Sequence, residues 1–76
     1  MSVRTFRLSG ERAEGALERV LGVIRRRGLG LHRLSVDQAV DGHWDIAITA
    51  AASESEAGLA LRQFSALLDV RTARSE

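Results

Sequence analysis

Apolar and polar residues alternate from Val3 to Leu8, with Phe6 and Leu8 on one side and Val3, Thr5 and Arg7 on the other, the pattern of a half-buried strand. Ser9 and Gly10 interrupt it. From about Glu11 to Arg27, residues Ala13, Leu17, Val20, Leu21 and Ile24 recur at three- and four-residue steps and predict an amphipathic helix. Glu11 and Glu14 then occupy its first turn and Arg25, Arg26 and Arg27 its last, the charge order the helix dipole favours, and Gly28 stops it. A mid-helix glycine costs about 1 kcal/mol relative to alanine, against about 1.5–3 kcal/mol gained per fully buried large aliphatic side chain. Gly22 is therefore expected to mark a close packing contact.

Leu29 to Ala39 contains the alternating set Leu34, Val36 and Gln38, and His43 to Ala51 places Trp44, Ile46, Ile48 and Ala50 on one face. These are a second and a third strand. Between them, Val40-Asp41-Gly42-His43 carries Asp-Gly, one of the strongest short hairpin signals. Ser53 followed by Glu56 fits a capping box that opens a second helix, with an inner stripe of Ala57, Leu61, Phe64 and Leu67 or Leu68 and an end near Leu67. Leu68 to Ala73 reads as a short last strand with Val70 inward, and Arg74, Ser75 and Glu76 as a fraying polar tail.

The order strand, helix, strand, strand, helix, strand is the split βαβ plan of an α+β, ferredoxin-like fold. Its right-handed crossovers place two helices on one face of a four-stranded antiparallel sheet in the order 4-1-3-2. The opposite face would carry Thr5, Arg7, Arg33, Ser35, Asp37, His43, Asp45 and Thr49, a polar surface, and strand two would be an open edge that pairing with a second copy removes.

Seventy-six residues read as one domain, 1–76. A chain of this length buries only about 60% of the surface its unfolded form exposes. Small domains make up the deficit with disulfides, a metal or a partner; with no cysteine in the chain, association is the expected remedy. The lack of cysteine also excludes thiol catalysis and thiolate zinc sites. Eleven arginines against ten acids leave a net charge of +1, too balanced to steer the molecule onto a polyanion. Lysine, asparagine, proline and tyrosine are absent. No apolar run approaches the roughly 20 residues that span a bilayer, and the alternating N-terminus does not read as a signal peptide. The expected location is the cytoplasm, with neither nucleic acid nor membrane as a partner.

Three stretches carry a family resemblance: Gly15-Ala16-Leu17-Glu18-Arg19-Val20-Leu21-Gly22-Val23-Ile24, then Arg27-Gly28-Leu29 and Leu34-Ser35-Val36, then Leu67-Leu68-Asp69-Val70. Together at this spacing they resemble the ACT domain of acetolactate synthase small subunits. That resemblance implies a non-catalytic regulatory subunit. It would bind and activate the catalytic large subunit of branched-chain amino-acid synthesis, with thiamine diphosphate, magnesium and FAD all on that partner and no cofactor in this chain. A homodimer is implied, and in many members feedback by valine. Small subunits of the longer kind carry a second domain, so this sequence looks like the short kind.

The resemblance places an amino-acid effector around Arg12, Glu14, Gly15, Ala16, Leu17 and Gly30. A glycine in a helix's first turn would let a carboxylate approach unpaired backbone N–H groups. Effector-binding relatives have asparagines three residues before that glycine and two residues after the Arg-Gly step. Arg12 and Gly30 stand at those positions here, which removes both amides and weighs against valine binding. Self-association is expected at strand two and the first helix, through Leu31, Leu34 and Val36. No catalytic or metal site is read; His32 and His43 with Asp37, Asp41 and Asp45 lack a recognised ligand spacing.

Other functions of this topology fit less well. RNA recognition needs exposed strand aromatics, whereas Phe6 and Trp44 are in phase with the core. A metal chaperone of this fold needs a cysteine pair, and an acylphosphatase-like hydrolase needs an asparagine. The remaining alternative is a stand-alone ACT domain that binds an amino acid and regulates another enzyme.

Overall fold

A computed structural model describes residues 2–76; Met1 lies outside the described residues. The elements run β1 (Ser2–Gly10), α1 (Ala16–Arg26), β2 (Gly30–Gln38), β3 (Trp44–Ala52), α2 (Glu54–Ala66) and β4 (Val70–Ser75). The strands form one antiparallel sheet in the order β2-β3-β1-β4, the 4-1-3-2 arrangement expected from the pattern.

The core lies between the helices and one sheet face. Phe6 faces Ile48 and Leu8 faces Ile46 across the β1–β3 ladder, and all four are buried. Phe64 of α2 meets Phe6 edge-on, with centroids 5.5 Å apart and an interplanar angle of 61°. Trp44, Leu34, Val36 and Leu61 pack around this cluster while keeping partial exposure.

The helix ends follow local chemistry. The Ser53 hydroxyl accepts the Glu56 N–H at 3.2 Å and the Glu56 carboxylate accepts the Ser53 N–H at 2.8 Å, completing the expected capping box. That pair of hydrogen bonds, the Ser53 backbone N–H first, holds the Glu56 carboxyl below its ordinary range. At the end of α1, Gly28 takes φ +66°, its N–H bonds the Arg25 carbonyl, and Leu29 N–H bonds the Ile24 carbonyl, both at 3.1 Å. This is a Schellman motif, sealed by buried Leu29 and Ile24. In the hairpin, Gly42 N–H bonds the Ala39 carbonyl at 2.9 Å and Gly42 takes φ +90°, a conformation its missing Cβ makes accessible.

Four expectations are corrected. Helix α1 begins at Ala16, because a turn closed by Ala16 N–H on the Ala13 carbonyl puts Gly15 in the left-handed region, φ +79°, which no helix traverses. Glu11 and Glu14 therefore precede the helix, and its buried stripe is Ala16, Val20, Val23 and Ile24, with Leu21 turned outward. Gly22 marks no helix-on-sheet contact; a Cβ there would meet only the Arg26 guanidinium, at 3.1 Å. Leu68 lies in the turn before β4, 95% exposed, and Leu67 takes the inner place. Nor does the C-terminus fray: Arg74 and Ser75 pair with Arg7 and Phe6, and Glu76 N–H bonds the Thr5 carbonyl at 2.8 Å.

Candidate functional site

The segment joining β1 to α1 is held against the α2–β4 turn by backbone and side chain together. Glu11 N–H donates to the Asp69 carbonyl at 2.7 Å, and the approach is so close that a Cβ on Gly10 would overlap that carbonyl. Arg19, one turn into α1, reaches back over the helix start. Its Nε donates to Asp69 Oδ2 at 2.8 Å and its Nη2 to the Glu14 carbonyl at 3.0 Å. A Cβ on Gly15 would stand 2.8 Å from Arg19 Nη1, so glycine admits both the positive φ and the guanidinium lying over it.

Gly15 is thus the N-cap of α1 and not part of its first turn, and no side chain caps the helix. Its carbonyl accepts the first helical bond, from Arg19 N–H at 3.0 Å. Ala16 is buried beneath the corner and Leu17 is half-buried beside it. The crevice under the helix start, between Leu8, Val20, Trp44 and Val70, measures about 10 Å³. That is near the minimum for a single water, so this crevice holds no amino acid, whereas an open hollow of about 420 Å³ lies over the helix start, bordered by Gly15, Glu18, Arg19 and Leu67. Glu11, at its rim, accepts from Arg71 Nε at 2.8 Å and Nη2 at 2.5 Å, which raises the Arg71 pKa further.

Of the six residues expected around an effector, the structure brings five together. Arg12, Glu14, Gly15, Ala16 and Leu17 share the corner, and Arg12 Nη1 reaches Gln38 Oε1 at 3.4 Å at the C-terminal end of β2. Gly30 is at the other end of that strand, opposite Ala51. Eight residues of strand, about 26 Å at 3.3 Å each, separate Gly30 from Gln38 within one chain.

Among the described residues, strand β2 pairs only with β3 and forms an edge of the sheet. Leu34 and Val36 are half-buried against the core, while Leu31 is 44% exposed. The register shifts by one between Leu31 and Arg33, so Leu31 opposite Ala50 and Leu34 opposite Ile48 share the helix-side face despite their odd spacing. The kink occupies His32, which leaves it remote from the hairpin histidine. His43 Nδ1 is paired with Asp41, and His43 Nε2 lies 3.4 Å from Asp45 Oδ1. The His43 backbone N–H, ahead of its ring, holds the Asp41 carboxyl below its ordinary range. Among the described residues, no group of three or more His, Cys, Asp or Glu side chains converges as a metal site.

The sheet face away from the helices is a shallow basin of about 570 Å³, bordered by Arg7, Asp37, Asp45 and Arg74 with Ser9, Ser35 and Ala47 between them. Thr5 and Thr49 hydroxyls meet across its middle strands at 3.4 Å. Arg19, Asp69 and Gly10 were missed as corner residues because nothing local in the sequence links positions 50 or more apart. No helix among the described residues is long and apolar enough to cross a membrane.

Residues 12–73 match the family model described as the ACT domain. No curated protein is similar enough in sequence to match. Among solved structures, the acetolactate synthase small subunit of Thermotoga maritima superposes with a TM-score of 0.87 at 14% identity, covering 99% of this chain and 47% of that one. The chain therefore spans about half of that subunit's length. The ACT domain of the GTP pyrophosphokinase of Chlorobium tepidum matches with a TM-score of 0.83 at 16% identity, over 97% of this chain and 96% of that one. The ligand-free regulatory subunit of aspartate kinase from Thermus thermophilus gives 0.75 at 17% identity, over 97% and 50%. At these identities the likenesses concern the fold.

Proposed function

Because the chain belongs to the ACT-domain family, a family of regulatory modules, we propose that it is the regulatory and activating small subunit of an acetolactate synthase, bound to a thiamine-diphosphate-dependent large subunit in branched-chain amino-acid synthesis. The observation that carries this reading is the run Gly15 to Ile24 with Arg27-Gly28 and Leu67-Leu68-Asp69-Val70 at the family's spacing. The runs meet in space, since Arg19 of the first bonds Asp69 of the last. On this reading the chain catalyses nothing. Thiamine diphosphate, magnesium and FAD belong to the partner, and activation is a coupling free energy: the subunit binds the active arrangement of the enzyme more tightly than the inactive one.

The free β2 edge supplies the homodimer. If two β2 strands pair antiparallel about Leu34, Gly30 of one copy stands opposite Gln38 of the other, beside Arg12. The two halves of the expected effector site, about 26 Å apart in one chain, then adjoin across the dimer. Loss of both asparagine amides, at Arg12 and Gly30, argues that the dimer outlasts the effector.

The test is acetolactate formation by the purified large subunit, with and without this protein, each with and without valine. Activation that valine leaves intact is expected. Absence of activation would shift the reading to a stand-alone ACT domain regulating another enzyme, an alternative supported by the comparable fold likeness to the pyrophosphokinase and aspartate kinase domains.

A further inference from the structure

The open sheet face carries two like-charged cross-strand pairs. Asp37 lies directly opposite Asp45 on β2 and β3, and Arg7 directly opposite Arg74 on β1 and β4. Like charges facing each other across a ladder destabilise it. Neighbours within the chain relieve this only in part. Glu76 accepts from Arg7 Nε at 2.8 Å and lies 3.7 Å from Arg74 Nη2, so one carboxylate serves two guanidiniums. Among the described residues, the His43 ring, with Nε2 3.4 Å from Asp45 Oδ1, is the one basic group within ion-pair distance of Asp45, and no ion pair reaches Asp37.

The two pairs sit on opposite halves of one face, the acidic on β2 and β3 and the basic on β1 and β4. We propose that this face is a self-association surface on which a second copy of the chain stacks. A two-fold axis between the pairs sets Asp37 and Asp45 of each copy against Arg74 and Arg7 of the other. A pattern whose two halves carry opposite charge is complementary to itself under such an axis. The small side chains between them, Ala47 among them, permit the roughly 10 Å separation of stacked sheets.

The area is sufficient. Three nine-residue strands and the six-residue β4, about 4.8 Å apart at about 3.3 Å per residue, present roughly 520 Å² per copy, so the pair buries about 1,050 Å², just above the roughly 1,000 Å² a specific interface needs. This contact leaves β2's edge free. Where the edge also pairs, the two contacts together join four chains, and where it does not, the stack is a dimer.

The experiment needs only the isolated protein. One variant carries Arg7→Glu with Arg74→Glu and the other Asp37→Arg with Asp45→Arg; each face then repels its own copy, while the two variants attract each other. In sedimentation equilibrium each variant is expected to show half the wild-type mass, with self-association at least roughly tenfold weaker, and their equimolar mixture to recover the wild-type mass. Added salt should weaken the wild-type contact through screening. A second measurement leaves the charges untouched. Because the chain has no cysteine, Ala47→Cys introduces a single thiol near the proposed axis, and a bis-maleimide with a two-carbon spacer should cross-link it, whereas Leu59→Cys on α2 should stay monomeric on denaturing gels. Failure of the mixture to exceed either variant in mass overturns the proposal, as does an Ala47→Cys yield no higher than the Leu59→Cys control. So does retention of the wild-type mass by both variants with loss of enzyme activation, which would assign the face to the large subunit.

Discussion

Gly10→Ala tests the corner that joins β1, α1 and the α2–β4 turn. The added methyl would overlap the Asp69 carbonyl and crowd Val70 Cα at 3.1 Å, and neither is the yielding end of a flexible side chain. The backbone must shift, stretching the 2.7 Å bond from Glu11 N–H to Asp69 and the Arg19–Asp69 contact behind it. Overpacking costs about 1–3 kcal/mol and the strained hydrogen bond about 1 kcal/mol. Removing a glycine from the unfolded chain returns about 0.4–1 kcal/mol. The net expectation is a loss of about 1–3.5 kcal/mol, large against the roughly 4–11 kcal/mol that 0.05–0.15 kcal/mol per residue implies. Urea titration should show a lower midpoint with little change in slope, Tm should fall by roughly 5–25 °C, and the Glu11 amide should exchange faster. Gly58→Ala is the control: nothing lies within 4 Å of its added methyl and it stands inside α2, so it should gain up to about 1 kcal/mol. If Gly10→Ala is as stable as the wild type, the close approach does not constrain the corner and the reasoning fails.

Stability should also depend on the Glu56 cap. Its carboxyl is lowered from 4.5, so its contribution is complete above that value and disappears as pH falls through the folded-state pKa; Glu56→Gln should flatten the decline of Tm below pH 4.5. Gly28→Ala should cost about 1–2 kcal/mol in urea titration through its left-handed backbone alone, because its methyl meets nothing within 4 Å. Leu34→Lys should lower the self-association constant of the β2 edge, and an unchanged sedimentation profile would remove that edge as the dimer contact. Arg19 and Asp69 should couple in a double-mutant cycle by about 0.5–3 kcal/mol, and additive effects of Arg19→Ala and Asp69→Ala would mean the contact contributes nothing.

Much of the fold was legible because its signals are local. Alternation through Phe6 and Leu8 and through Ile46 and Ile48 marked strands whose inner faces are the core, and Ser53 with Glu56 marked a helix start that the hydrogen bonds reproduce. Helix α1 was misread at its start for an equally local reason. Glu11 to Gly15 satisfies helical periodicity and acid placement, and only the positive φ of Gly15, set where the chain must turn under Arg19 and Asp69, breaks it. The polar C-terminus likewise reads as a tail until β1 offers it a ladder partner.

The sequence by itself determined the order of elements, the phase of β1 and β3, the capping box, the hairpin and the Gly28 stop, since each depends on residues within a few positions of one another. Tertiary structure alone decided which face of α1 is buried, that Arg19 bonds Asp69 across 50 residues, and that Gly30 lies at the far end of β2 from Arg12. It also set Asp37 beside Asp45 and Arg7 beside Arg74 on one open face. Those relations depend on sheet register and on where the chain crosses itself. Register is a property of paired strands, and no single segment carries it.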